Sequence, residues 1–298
     1  MFPRYMKWNY SLTHSNQYTA LGNSYNVREV FDSMSTDAKI LEAAQSLVNQ
    51  HKTKQLYALE ERLIPRDIEQ AYLIQREYQT QISATQGAIS GYKLAMTTAA
   101  LQEANGVSEP CLGLILHDNI RHSPSTLEAA NFVQLGIECE VAVRLGADIP
   151  QSGAPYDRKK VSEAIESLST AFEVIDIRRL PGVDPKVQFI TGVAANVYNE
   201  GVVLGDPVED WQNLDLATAY GSMSINGKLV GDGHGSDVMG HPLEPLAWLA
   251  NKLANQGIGL TAGMVIITGS IVSPKPLNPG DSASIAIEGL GSAEITVI

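Results

Sequence analysis

Two glutamates separated by one residue stand inside an otherwise apolar run, Ile137-Glu138-Cys139-Glu140-Val141. Successive side chains of a β-strand point to opposite faces, so Glu138 and Glu140 would share one face, roughly 7 Å apart at the backbone. Carboxylates at that spacing can converge on one cation, and without a cation they resist ionising together. Oxygen ligands with no histidine or cysteine beside them favour Mg²⁺ or Mn²⁺, or alternatively Ca²⁺, over Zn²⁺.

A third acid of the same kind is Glu173, inside the apolar run AFEVIDIR. Asp176 follows three residues later and would face the other side of that strand. Taken alone, a Glu-x-Glu pair in a strand is more often the solvated face of an edge strand than a metal site. The residues by themselves leave both interpretations open.

Composition excludes several classes of function. The 298 residues include 21 Lys plus Arg and 33 Asp plus Glu, so the net charge is −12, with no basic surface for nucleic acid or anionic lipid. No run approaches the roughly 18 apolar residues that a membrane helix needs. Two cysteines, Cys111 and Cys139, exclude a disulfide scaffold and make the cytoplasm the expected compartment.

The part of the chain before Gly87 predicts a helical layer. Residues 1–36 lack regular patterning and are predicted to be an extension outside the fold, or alternatively an arm that packs on a partner subunit. From Asp37 to Gln50 apolar residues recur at helical spacing, and Pro65 and Asp67 open a second helix that ends before Gly87. Residues 37–298 are predicted to form a single catalytic domain, with 37–86 as its helical layer and 87–298 as a β-roll.

After Gly87 strands outnumber helices and come in runs. Asn226-Gly227 between two short apolar segments predicts a type I′ hairpin. Helices are expected at Arg158–Ser169 and at Leu243–Asn255. Strands in runs, rather than in strict alternation with helices, favour an α+β fold in which helices cover one side of a mixed β-sheet roll.

Seven segments in fixed order resemble the fumarylacetoacetate hydrolase superfamily, fumarylacetoacetase C-terminal-like in fold. The resemblance covers about residues 38–298. Within the superfamily, the chain is most similar to the branch of 2-keto-4-pentenoate hydratases, 2-oxohepta-3-ene-1,7-dioate hydratases and 4-oxalocrotonate decarboxylases. The segments are SGYKLAMTT, EPCLGLILHDNI, GIECEVAVRLG, AFEVIDIR, GHPLEPLAWLANKLANQG, LTAGMVIITGSIV and PGDSASIAIEGLGSAEITV.

This resemblance implies a divalent metal held by Glu138, Glu140 and Glu173, and a homo-oligomer built from dimers. It implies that Lys93, in the Gly-Tyr-Lys segment, is an active-site lysine, and that Asp118 is an acid near the pocket. Lys93 would attract a carboxylate, or transfer a proton if burial depressed its pKa. Asp118 is the predicted group for activating water, with a metal-bound water as the competing candidate.

Two segments depart from the branch. The branch usually has an acid after Glu-Pro, where this chain has Cys111. The family segment close to D-N-A-S-S-G is here ANVYNEG, which keeps Asn196 but neither serine. Asn196 is assigned to substrate binding on that resemblance. A glycine-rich segment from Gly231 to Ser236 is predicted to be a mobile loop over the pocket, from which His234 reaches the substrate.

The resemblance therefore predicts a metal-dependent hydratase, a lyase acting on a small 2-oxo or 2-hydroxydienoic acid in aromatic catabolism. Alternatives are a decarboxylase of the same branch, an acylpyruvate-type hydrolase using His117 with Glu103 or Glu109, and a catalytically degenerate scaffold subunit. Expected partners are the small-molecule acid, further copies of the chain and a pathway decarboxylase, with no nucleic acid and no membrane.

Overall fold

The computed structural model describes residues 17–20 and 23–298, with side chains from residue 37 onward. The helices are α1 (Val27–Lys52), α2 (Ile68–Gln86), α3 (Ala99–Asn105), α4 (Arg158–Ser162), α5 (Pro185–Ala194) and α6 (Glu244–Ala254). The strands are β1 (Gln17–Ala20), β2 (Asn23–Asn26), β3 (Ile89–Ala95), β4 (Cys111–Leu116), β5 (Ile120–His122), β6 (Ser125–Leu127), β7 (Leu135–Leu145), β8 (Ile165–Asp176), β9 (Asn199–Leu204), β10 (Tyr220–Ile225), β11 (Lys228–His234), β12 (Val265–Pro276), β13 (Ser282–Ile287) and β14 (Gly291–Val297). These elements confirm the α+β class, with mixed sheets and an N-terminal helical layer.

Two sheets carry the fold. A seven-stranded mixed sheet has the order β4-β3-β12-β7-β8-β9-β5, and a five-stranded sheet has the order β11-β10-β13-β14-β6. Long strands β7 and β8 pair antiparallel at the middle of the larger sheet. The predicted hairpin joins β10 to β11, with Asn226 and Gly227 both at positive φ, as a type I′ turn requires.

The main core lies between the two sheets. Alternate residues of β7, such as Ile137, Val141 and Val143, pack in one cluster with Ile285 of β13 and Ile295 of β14. The opposite face of the larger sheet carries a separate small cluster, which includes Ala142, Ala171, Val202 and Ile267. Because strand residues alternate, Glu138 and Glu140 lie on this second face.

The helical layer is tied to the end of β8 by one buried arginine. Arg178 is 1% exposed, and its Nε donates to Asp176 Oδ2 at 2.8 Å. Its Nη1 donates to the backbone oxygens of Gln50 and His51 in the last turn of α1, at 3.2 and 3.0 Å. The same two carbonyls also accept the backbone N–H groups of Gln55 and Lys54, so Arg178 adds a second bond to each and joins α1 to the sheet.

Helix α1 begins ten residues before the position expected from the sequence. The pattern of Val27, Val30, Phe31 and Met34 already has helical spacing, but Ser35-Thr36-Asp37 resembles a helix start and hides it. The remainder of the predicted extension, residues 1–16 and 21–22, lies outside the described residues.

Two further expectations after Gly87 are wrong. Residues from Ile165 are strand β8 rather than the end of a helix, because pairing with β7 along its whole length outweighs a local apolar spacing that also suits a helix. Gly231 and Gly233 belong to strand β11, not to a mobile loop. A Cβ at either glycine would lie 2.5–2.6 Å from Val272 or Ile271, so these glycines allow close approach to β12.

Among the helices of the described part of the chain, none is long and apolar enough to cross a membrane.

Arg178→Ala is expected to lower the free energy of unfolding by about 3–5 kcal/mol, since it leaves buried Asp176 without its cation. Urea denaturation measures the change. Arg66, whose side chain is 73% exposed beside Asp67, provides the control. Arg66→Ala should cost at most about 1 kcal/mol. A similarly small loss in Arg178→Ala would show that Arg178 does not join α1 to the sheet.

Candidate metal centre and substrate cavity

Three glutamates meet on the face of the larger sheet that is turned away from the main core. The register of β7 and β8 places Glu138 directly opposite Glu173, and Glu140 opposite Ala171. Glu140 therefore lies diagonally across from Glu173 on the same face. One carboxylate oxygen from each of the three glutamates lies within 4.8 Å of the others. The arrangement is that of a tridentate oxygen site.

Burial makes these negative charges costly. Glu140 and Glu173 are both 0% exposed, whereas Glu138 is partly exposed and lines a cavity. Burial, followed by the charge of Glu173, raises the pKa of Glu138 to about 7. The same causes, together with the charge of Glu138, raise the pKa of Glu140 well above its usual value. Without a cation, the cluster therefore holds protons at neutral pH.

One ammonium group faces the cluster. Strand β3 runs parallel to β12 and brings Lys93 opposite Ile267, on the face that carries the glutamates. Lys93 Nζ lies 2.9 Å from Glu173 Oε1, which also accepts a bond from Asn199 Nδ2 at 2.9 Å. Burial acts to lower the pKa of Lys93, but the nearby glutamate charges, first that of Glu173, outweigh burial and raise this pKa. Lys93 is thus held as a cation.

The donor set fits a hard divalent cation. Three carboxylates and one ammonium leave two negative charges uncompensated in a buried site. Glu140 Oε2 accepts the Gly269 backbone N–H at 2.6 Å, while buried Oε1 has no hydrogen-bond partner. A buried carboxylate oxygen without a hydrogen-bond partner, in a cluster of three carboxylates, is a suitable ligand for a cation. Three oxygen ligands suit Mg²⁺, Mn²⁺ or Ca²⁺.

A cavity of about 510 Å³ opens beside the glutamates. Glu138 and Lys93 lie on its wall, and most of the remaining wall is apolar. Besides Glu138 and Lys93, its polar side chains include Thr97, Arg179, Tyr198, Asp232, Asp237, Ser270 and Ser273. The volume suits a small organic acid that reaches the glutamate cluster through one end.

The structure brings Lys93, Glu138, Glu140 and Glu173 together but not Asp118. Asp118 lies in the 3-10 turn His117–Asn119 that follows β4, five residues beyond Gly113, which is the residue opposite Lys93. The extended length of five residues limits the Cα separation of Gly113 and Asp118 to at most about 17 Å. Its side chain is 59% exposed and bonds to His117 Nδ1 at 2.9 Å. Asp118 does not line the cavity.

The two predicted substrate-binding residues also lie off the cavity wall. The Asn196 amide is occupied by the backbone of Leu114, accepting its N–H at 2.7 Å and donating to its carbonyl at 2.9 Å. His234 is exposed at the end of β11, with its ring edge against Tyr220. Its neighbours in β11 and the following turn, Asp232 and Asp237, reach the cavity instead.

Sequence reasoning missed Asn199, Arg179 and Tyr198. Asn199 pairs with Ile175 in the ladder between β8 and β9, so its contact with Glu173 depends on strand pairing. Tyr198 is placed by three successive residues at positive φ, which is rare for a valine and a tyrosine. The one available signal was the departure of ANVYNEG from the family pattern.

Three comparisons agree with this geometry. The family model for the fumarylacetoacetate (FAA) hydrolase C-terminal domain matches residues 101–298. The chain is 35% identical to 2-hydroxyhexa-2,4-dienoate hydratase of Comamonas testosteroni over 76% of this chain and 85% of the relative. It is 33% identical to 2-oxo-hept-4-ene-1,7-dioate hydratase of Escherichia coli over the same shares. The solved 4-oxalocrotonate decarboxylase of Pseudomonas putida G7, complexed with magnesium and adipate, has a TM-score of 0.80 at 28% identity, over 88% of this chain and 98% of that chain.

Metal affinity is expected to rise with pH from 6 to 8, since a divalent ion must displace the protons that Glu138, with its pKa of about 7, and Glu140 hold in the metal-free site. The gain should be about tenfold per pH unit for each proton displaced. Titration calorimetry with Mn²⁺ in buffers of different ionisation enthalpy measures both affinity and proton release. Affinity that does not change with pH would contradict the ligand assignment.

Glu140→Gln is the matching variant, because its amide oxygen can still accept the Gly269 N–H while one anionic ligand is lost. Mn²⁺ affinity should fall at least about 100-fold, and the melting temperature of the metal-free protein should stay or rise. Exposed Glu166 on the same strand as Glu173 supplies the control Glu166→Gln, which should bind Mn²⁺ like the original protein.

Proposed function

Because the chain belongs to the fumarylacetoacetate hydrolase family, we propose that it is a divalent-metal-dependent hydro-lyase. It adds water to a small 2-hydroxy-2,4-dienoate or its 2-oxo form, in the breakdown of aromatic compounds. The observation that carries this proposal is the glutamate cluster beside a cavity large enough for such an acid. Two relatives named as hydratases support the reaction class.

Glu138, Glu140 and Glu173 would hold the ion, with Mg²⁺ or Mn²⁺ as the proposed metal. When bound, the dication supplies Lewis acidity to the carboxylate and 2-oxo group of the substrate. The glutamates also orient the substrate, since Glu138 faces the cavity while Glu140 and Glu173 lie behind it. A magnesium complex of the related decarboxylase supports the choice of ion.

Lys93 acts as a fixed cation at the inner end of the cavity. Its Nζ carries a proton and lies within 2.9 Å of Glu173. A protonated amine there attracts the substrate carboxylate and can donate a proton to a developing negative charge. Of the two roles that the sequence left open for Lys93, the raised pKa favours the cationic one over that of a free base.

The group that activates water is not Asp118 in this proposal, because Asp118 bonds to His117 on the surface. Apart from Glu138, the carboxylates on the described cavity wall are Asp232 and Asp237. Asp232 accepts the Tyr220 hydroxyl at 2.8 Å, and Asp237 accepts the His234 backbone N–H at 2.8 Å. Each bond is made to one carboxylate oxygen, so Asp232 or Asp237 would activate water while this bond to the protein is kept.

Decarboxylation is the second candidate, favoured by the likeness to 4-oxalocrotonate decarboxylase over 88% of the chain. An acylpyruvate hydrolase is disfavoured, since the proposed His–Glu pair does not form. His117 bonds to Asp118, Glu109 bonds to Lys252 at 2.6 Å, and Glu103 is exposed on α3. A degenerate scaffold is disfavoured by a complete glutamate cluster with its lysine.

Assembly into a homo-oligomer of dimers, a complex with a pathway decarboxylase, and a cytoplasmic location stay predictions. Light scattering after size exclusion tests the first, and co-purification with the decarboxylase tests the second.

The deciding experiment offers the Mg²⁺-loaded protein 2-hydroxyhexa-2,4-dienoate, 4-oxalocrotonate and an acylpyruvate in parallel. Loss of dienol absorbance with a gain of one water in the product mass supports the hydratase. Release of CO₂ from 4-oxalocrotonate alone supports the decarboxylase. Tight binding of Mn²⁺ and oxalate without turnover of any of the three would overturn both and favour the scaffold.

Lys93→Met is expected to lower kcat about 10²- to 10⁴-fold, as the loss of a proton donor does, while Mg²⁺ binding is retained or strengthened because a competing cation is gone. Steady-state kinetics and calorimetry on one preparation separate the two effects. Exposed Lys159 on α4 provides the control Lys159→Met. Equal turnover in the two variants would remove Lys93 from the reaction.

A further inference from the structure

A second cation lies on the cavity wall, away from the glutamates. Arg179 is exposed and lines the same cavity as Glu138 and Lys93. Among residues whose side chains the structure describes, no carboxylate lies within 4 Å of its guanidinium, whereas Arg178 is fully engaged with Asp176. Arg179 is therefore a positive charge that faces a ligand cavity without an ion-pair partner.

The backbone after β8 explains this position. Side chains alternate along an extended chain, so Glu173, Ile175, Ile177 and Arg179 follow one another on one side while Arg178 points to α1. Ile175 and Ile177 both line the cavity. An apolar wall thus separates the metal end from Arg179, with at most about 20 Å between the Cα atoms of Glu173 and Arg179.

Tyr198 shares this end of the cavity and is held rigidly. The guanidinium carbon of Arg179 lies 5.7 Å from the Tyr198 ring centroid, and the Tyr198 hydroxyl donates to the Gln188 backbone carbonyl at 3.4 Å. The ring packs so closely on Gly192 that a Cβ there would lie 2.8 Å from the hydroxyl oxygen. Asn196, Val197 and Tyr198 all have positive φ, a strained run that the bonds of Asn196 to Leu114 keep in place.

The charges around the cavity are unequally distributed. Asp232 and Asp237 line it from β11 and the turn that follows, while Arg179 lines it from the segment after β8. An anionic tail is repelled by the aspartates and attracted by Arg179.

Behind Arg179 and Tyr198 lies a separate cavity of about 210 Å³ with a mainly apolar wall, so these two side chains also form the boundary between the two cavities.

We propose that Arg179 and Tyr198 form a subsite for a second carboxylate at the far end of the substrate, which makes the preferred substrate a 2-oxo dicarboxylic acid. This inference rests on the proposed function, because the first carboxylate and the 2-oxo group must occupy the metal end. Arg179 binds the tail carboxylate with paired N–H donors. The Tyr198 hydroxyl donates a further bond by turning away from the Gln188 carbonyl, with which it makes only a long bond of 3.4 Å. Both are specificity-determining residues.

The test uses unreactive 2-oxo acids matched in carbon number. Binding of 2-oxohexanoate and 2-oxoadipate, and of 2-oxoheptanoate and 2-oxopimelate, is measured by calorimetry with saturating Mg²⁺. In at least one pair, the dicarboxylate should bind at least about tenfold more tightly. R179Q should abolish that preference while monocarboxylate affinity changes less than about twofold, and R179K should restore part of it. R66Q, on an exposed arginine far along the chain, is the control and should keep the full preference.

Each other outcome has a defined meaning. Mg²⁺-dependent binding of both acids with no dicarboxylate preference, or an equal preference in R179Q, overturns the subsite and leaves the proposed function standing. Tighter binding of the monocarboxylate overturns it in favour of the apolar cavity behind Tyr198. Failure of oxalate and of every 2-oxo acid to bind with Mg²⁺ overturns the proposed function and the subsite together.

Discussion

Like-charge repulsion among Glu138, Glu140 and Glu173 is the constraint on which the rest of the site depends. Three carboxylates in a largely buried site cannot all ionise beside a single ammonium group, and the raised pKa values of Glu138 and Glu140 express that conflict. A divalent cation removes it, because two positive charges match the two that Lys93 leaves uncompensated. The same repulsion lowers the stability of the metal-free fold and favours the binding of a cation. Groups with strongly shifted pKa values of this kind are typical of functional sites.

The fold makes this cluster possible by separating two faces of one sheet. The face of β7 that carries Ile137 and Val141 packs on the smaller sheet and supplies the main core. The other face carries the glutamates beside a small buried apolar cluster that includes Ala142 and Ala171, and the cavity opens at Glu138. The main core and the candidate metal site therefore use alternate residues of the same strand, so Glu140 can change without opening the core.

The sequence was sufficient wherever the geometry is local. Alternation along one strand predicted that Glu138 and Glu140 share a face, and the segment order identified the family and the α+β class. The sequence was insufficient where the position of a side chain depends on which strands pair or on a strained backbone conformation. The position of Asp118 follows from where β4 ends relative to Lys93, which no spacing in the sequence reveals. His234 was misplaced because the glycines around it suggested a loop, whereas they permit contact with β12.

Cys111 determines which anionic groups surround Lys93. Its thiol is fully buried close to Lys93, and burial raises its pKa to about 12, so it is neutral where the resembling branch usually has an acid. Lys93 therefore has the three glutamates of the candidate metal site as its anionic neighbours, Glu173 first among them. Any ion bound by the glutamates repels the Lys93 ammonium and offsets the attraction that keeps it protonated. A metal ion bound there must then lower the pKa of Lys93. Lys93 therefore gives up its proton more readily when the metal site is occupied.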